Sequence, residues 1–150
     1  MPIYTPPLRD MQFVLHELAG LDAIARLPGY GDVSTELVDA VLEGAATFSS
    51  EVWGPLNKVG DLQGLKRHDD GRVTTPKGFK EAYAQFVEGG WPALSCDPEY
   101  GGQGLPMALN SALYEMLNSA NQAWTMYPGL SHGAYEALHA YGTPEQKKTY

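Results

Sequence analysis

Apolar side chains recur along this chain at intervals of three and four residues, the spacing of one face of an α-helix. The pattern is clearest after Pro106, where Leu109, Ala112, Leu113, Met116 and Leu117 form a stripe. A second stripe runs through Val38, Val41, Leu42, Ala45, Phe48 and Val52, with Glu36, Asp39, Glu43 and Ser50 mainly on the other faces. Ser34 predicts its N-cap, Glu36 opposes the helix dipole, and the helix should run to about Trp53, ended by Pro55. An earlier helix, from about Pro7 to Ala19, carries Leu8, Met11, Leu15 and Leu18, with Val14 beside them, and stops at Gly20. Thr75-Pro76 caps another, with Phe79, Ala82, Tyr83, Phe86 and Val87 as its buried side and Gly89-Gly90 as its end. The polar, helix-weakening run Asn118 to Gln122 precedes a last pattern over Ala123 to Tyr141, interrupted near Pro128-Gly129 and closed by Gly142.

The connections read as follows. Tyr4 to Pro7 is extended, because each proline pushes its predecessor out of the helical region. Leu21 to Asp32 is a connector, and Leu56 to Thr74 is a loop with a tight turn at Asp70-Gly71 and a short extended piece at Arg72-Val73-Thr74. Trp91-Pro92-Ala93-Leu94 packs back as an anchor and leads into Gly101, Gly102 and Gly104, a turn that residues lacking a Cβ can easily make. Pro106 then suits a helix start. There is no convincing strand, internal repeat or low-complexity segment. The fold class is therefore all-α, a bundle of about five helices. Thr143-Pro144-Glu145-Gln146 is a capping box, yet only Lys147 to Tyr150 follow it. Isolated helices that short are not stable, so the chain is expected to be one domain of something longer.

Composition narrows the partners. The 150 residues are one domain's worth, and 43% hydrophobic content is ordinary for a globular protein. A formal charge of −8 argues against nucleic acid; the cations cluster only at Lys66-Arg67 and Lys147-Lys148. The single cysteine, Cys96, rules out an internal disulfide and fits a reducing compartment. No apolar run approaches the roughly 20 residues that span a bilayer. The opening MPIYTPPLRD is polar and unlike a signal peptide, so a cytoplasmic location is expected.

Candidate chemistry is sparse. His132, Glu136 and His139 share a helix face, and Glu136-x-x-His139 has the spacing of carboxylate-bridged di-iron bundles. Those sites need a second such pair, which this chain lacks, so a packed or solvated polar face is expected and no metal. Cys96 lies beside Asp97, whose carboxylate would raise a thiol pKa, so a structural cysteine is expected. Glu115 suits a capping or salt-bridge role better than a catalytic one. Trp124, Met126 and Tyr127 are either core or the wall of an apolar ligand pocket. GGQG does not fit the dinucleotide fingerprint, and no HExxH, Walker or GxSxG sequence is present.

Two segments carry more together than apart: Asp97 to Pro106 (DPEYGGQGLP), and Ser131-His132-Gly133 followed by Tyr141 to Tyr150 (YGTPEQKKTY). The pairing resembles the N-terminal α-helical domain of the acyl-CoA dehydrogenases. The opening Tyr4 to Leu15 and the piece Asp70 to Phe79 resemble the longer, 3-methylmercaptopropionyl-CoA dehydrogenase branch of that family. The resemblance implies a full-length enzyme with a middle β-domain and a C-terminal helical bundle, and an oxidation of an acyl-CoA thioester to the 2,3-enoyl-CoA. It implies FAD bound mainly by regions beyond residue 150, and a catalytic glutamate in the C-terminal bundle, so that no catalytic residue is expected in this segment. It further implies electron transfer to an electron-transfer flavoprotein and assembly as a homo-oligomer. By the same resemblance, Thr125, Met126, His132 and Gly133 line part of the acyl pocket, with Trp124 and Tyr127 adjacent. The competing reading is a stand-alone acidic helical interaction module without catalysis.

Overall fold

The computed structural model describes residues 4–150. The start of the proline-rich opening, residues 1–3, lies outside the described residues. The chain is all-α apart from one small hairpin. Helix α1 (Leu8–Phe13) passes into a π-helical turn, Val14–Leu18. Short α2 (Leu21–Ile24) sits inside the expected connector and buries Leu21. Helix α3 (Thr35–Thr47) starts where Ser34 accepts the Leu37 N–H at 3.2 Å, continues through a second π-helical turn, Phe48–Trp53, and runs on as α4 (Gly54–Gln63). Then come β1 (Lys66–Arg67) and β2 (Val73–Thr74), paired antiparallel, and α5 (Phe79–Glu88). Two 3-10 turns, Trp91–Ala93 and Pro98–Tyr100, lead to the long α6 (Met107–Tyr141) and to α7 (Pro144–Thr149).

The core gathers the expected stripes. Met11, Leu15, Val38, Leu42, Ala45, Phe48, Ala82, Phe86, Leu109, Leu113, Met116 and Leu117 pack as one cluster around Trp53, which is fully buried. Helices α3, α4 and α6 and the second π turn make most of the packing, with α1 against α3. His16 closes that contact by reaching Asp39 at 3.0 Å.

Four expectations are corrected. Pro55 does not end its helix: it falls in the first turn of α4, where a missing N–H forgoes nothing, and the π turn before it already breaks the register. The predicted loop therefore begins only after Gln63. Leu18 and Val14 are exposed, because a π turn takes more residues per revolution and rotates them off the Met11–Leu15 stripe. Val87 and Tyr83 stand well into solvent, one column away from the Ala82–Phe86 line that α5 buries. Strands do exist: Asp70 accepts from the Arg72 N–H at 3.0 Å and from its guanidinium at 2.6 Å, closing the hairpin turn.

Helix α6 is not interrupted near Pro128-Gly129, but it does break within the helix-weakening run Asn118 to Gln122. It continues through buried Pro128 at the loss of one hydrogen bond to the Trp124 carbonyl, and breaks instead at Asn121 (φ −161°, ψ 83°). Asn121 substitutes side-chain bonds for the lost ladder. Its carbonyl side-chain oxygen accepts the Trp124 N–H at 3.2 Å, and its amide donates to the Trp53 carbonyl at 3.2 Å. The capping box at Thr143 is present, with both reciprocal bonds to Gln146 formed.

Candidate functional site

Two groups of side chains meet along the downstream half of α6. The first is aromatic. Trp124 lies in the core against Trp53, ring centroids 4.1 Å apart, and stacks on Tyr83 at 5.7 Å. Tyr127 meets Trp124 and Tyr83 edge-on at 6.1 and 5.9 Å. Tyr127 and Met126 are 68% and 58% exposed, and Leu130 beyond them is 73% exposed, so an apolar wall faces outward with Trp124 behind it. Thr125 points the other way: its hydroxyl accepts the Trp53 indole N–H at 3.0 Å and donates to the Asn121 carbonyl at 2.9 Å.

The second group joins α6 to the glycine loop. That loop is pinned by backbone bonds: Gly102 N–H to the Asp97 carbonyl at 3.0 Å, Gly104 N–H to the Cys96 carbonyl at 2.9 Å, and Leu105 N–H to the Leu94 carbonyl at 3.0 Å. Gly101 and Gly104 have positive φ, and a Cβ on Gly102 would collide with the Cys96 carbonyl. Against this base stand Cys96 and His132 (sulfur to Nδ1, 3.9 Å), the Asp97 N–H donating to the Tyr135 hydroxyl at 2.7 Å, and His139 Nε2 beside the Asp97 carboxylate at 3.2 Å. The rings of His132, Tyr135 and His139 stack in sequence, 6.0 and 5.4 Å apart.

Electrostatics follow from this crowding. Burial pushes the Cys96 thiol up, and the carboxylate that adds to it is Glu136 and not Asp97. Burial likewise raises the Tyr114 and Tyr135 phenols. The Asp97 carboxyl is held low, first by the Glu99 N–H and next by His139. His132 pairs with Glu136 at 3.4 Å whereas His139 turns to Asp97, so the helix-face trio does not converge. Among the described residues no three His, Cys, Asp or Glu side chains come close enough to hold a metal ion.

A cleft of about 250 Å³ lies elsewhere, between α1 and the upstream half of α6, lined by Met11, Leu15, Ala108 and Ala112 with Asp10 and Glu115. Glu115 makes no ion pair among the described residues, contrary to the salt-bridge expectation. This cleft does not suit a flavin. The cleft is smaller than the usual range of ligand pockets, and it offers carboxylates where a pyrophosphate needs donors.

The six residues expected to line a pocket are thus divided. Trp124 and Tyr127 belong to the aromatic group, Met126 is exposed next to Tyr127, Thr125 faces the core, and His132 belongs to the glycine-loop group; Gly133 is exposed on α6 with open space where a Cβ would sit. Tyr83, Asp97 and Tyr135 were not singled out. Tyr135 could have been, since it sits three residues after His132 and four before His139, on the same face.

The sequence model described as "Acyl-CoA dehydrogenase, N-terminal domain" matches residues 62–150, more than half of the chain. The chain belongs to the acyl-CoA dehydrogenase family. As an acyl-CoA dehydrogenase N-terminal domain it is 37% identical over 147 residues to the 3-methylmercaptopropionyl-CoA dehydrogenase of Ruegeria pomeroyi, covering 98% of this chain and 25% of that protein. It is 33% identical over 155 residues to the broad-specificity linear acyl-CoA dehydrogenase FadE5 of Mycobacterium tuberculosis, covering 99% and 24%. The chain spans about a quarter of the length of these acyl-CoA dehydrogenase relatives. Among the described residues no helix is long and apolar enough to cross a membrane.

Proposed function

We propose that this domain forms one wall of the acyl site of a flavin-dependent enzyme that oxidises an acyl-CoA thioester to the 2,3-enoyl-CoA, with FAD held chiefly by segments outside these residues. The observation that carries the reading is the uncovered apolar wall of Met126, Tyr127 and Leu130, backed by Trp124 and flanked by Tyr83, on a chain of this family. A wall of this kind excludes water from a reacting thioester and orients the acyl chain against it. On this reading Trp124 and Thr125 fix the wall from behind, Met126 and Tyr127 touch the acyl group, and His132 and Gly133 lie further along it. Electrons would pass to an electron-transfer flavoprotein, and the enzyme would work as a homo-oligomer. The substrate class named for the Ruegeria relative, 3-methylmercaptopropionyl-CoA, is a reasonable first assay.

The test is to express the complete reading frame, record the flavin absorbance, and assay acyl-CoA oxidation with an artificial electron acceptor over short and long chains. Bound flavin and turnover are expected. Met126→Ala should shift the chain-length preference toward longer acyl groups; an unchanged preference removes Met126 from the pocket. A colourless protein without turnover would reject the enzyme reading and favour an interaction module docking through the same wall.

A further inference from the structure

Helix α6 changes character at Asn121. Upstream of it Leu109, Ala112, Leu113, Met116, Leu117 and Ala120 are buried; downstream only Trp124, Thr125 and Pro128 are, and from residue 129 to 141 no side chain is buried. That arm is nevertheless tied down, at three successive turns, to one dipeptide: His132 to Cys96, and Tyr135 and His139 to Asp97. The dipeptide is itself bonded to the glycine loop, because Gly102 and Gly104 donate to its carbonyls. Asp97 contributes twice, through its N–H and its carboxylate, on which Lys147 of α7 also acts, while Tyr100 meets the His139 ring edge-on at 6.2 Å and Glu136 pairs with His132.

We infer that Asp97, with Tyr135 and His139, is a latch that fixes the angle of the exposed arm 129–141 where it leaves the buried Trp124–Pro128 turn, and thereby sets the room beside Tyr127 and Leu130 for an acyl chain. Asp97 and Tyr135 are positioning residues that need touch no substrate. The part concerning the acyl chain rests on the function proposed above; the latch itself does not. A rigid-base, hinged-arm arrangement gives the domain a specificity determinant remote from the pocket lining, since a small rotation at the hinge displaces the wall as a unit.

The experiment uses the complete protein with Tyr135→Phe, which keeps the ring stack and removes the acceptor, and Asp97→Asn, which keeps the bond to the Glu99 N–H and removes the charge. Hydrogen exchange should show amide protection over 129–141 falling about fivefold in each, the loss of roughly one net hydrogen bond, with 109–120 unchanged. In the acyl-CoA assay the KM ratio between long and short chains should change while kcat moves less. Unchanged protection in both variants overturns the latch. Lost protection with an unchanged KM ratio overturns its control of the pocket. A protein that oxidises no acyl-CoA defeats the functional reading alone, and the exchange data still decide the latch.

Discussion

The two halves of α6 are one helix held in two ways. Upstream of Asn121, burial of leucine and methionine side chains against α3 and α4 fixes the segment, so its stability is spread over many contacts that fail together. Downstream, beyond the buried Trp124, Thr125 and Pro128, a few polar and ring contacts to Cys96 and Asp97 hold the arm. Non-directional burial secures a scaffold; a handful of directional contacts secures a part whose exact angle matters.

The largest difference between the two halves is expected in the core. Leu113→Ala, fully buried, should cost about 2–5 kcal/mol and lower Tm markedly, whereas Leu130→Ala on the exposed arm should stay within about 0.5 kcal/mol. Thermal unfolding of the two variants checks this; equal losses would erase the distinction. Next comes the joint. Asn121→Ala removes the bond to the Trp53 carbonyl and the cap on Trp124, for about 2 kcal/mol together, and should raise amide exchange over 122–128 more than over 109–120. A smaller effect is expected at the far end: Thr143→Ala breaks the capping box, costs about 1 kcal/mol, and should show as fraying of α7 in helix-sensitive chemical shifts. The smallest is electrostatic. Because the folded Asp97 carboxyl titrates below its ordinary value, its contribution is complete above about pH 4 and is lost as pH falls through the depressed folded value. An NMR titration of the Asp97 carboxyl should place its midpoint below that of a peptide aspartate; a midpoint at or above it would dismiss the Glu99 N–H and His139 contacts together.

The scaffold half was legible because burial leaves periodicity behind. Every member of the Leu109–Leu117 stripe is buried, and Ser34 and Thr143 cap as their types require. The π turns were not legible: Val14–Leu18 and Phe48–Trp53 contain ordinary helix formers, and the widening comes from how neighbouring elements pack. Asn118–Gln122 did announce a weak point by its polarity, while Pro128 drew attention away from it. The arm was harder to read. Exposed Met126 and Tyr127 repeat as core residues do, and the meeting of Asp97 with Tyr135 and His139 joins positions some forty residues apart, which no local pattern encodes.

The π turn at Phe48–Trp53 has a consequence for how this family can vary in length. Such a turn is an α-helix carrying one surplus residue, so deleting any one position there would restore the ordinary winding. Everything after it, α4 and the hairpin included, would keep its place around the rod axis, because the wide turn takes up its extra residue within a single revolution. Pro55, however, now in the first turn after the wide one, would find itself in an ordinary helix interior that rejects it. Single-residue gaps should therefore be shunned in this stretch, even where neighbouring loops accept them freely.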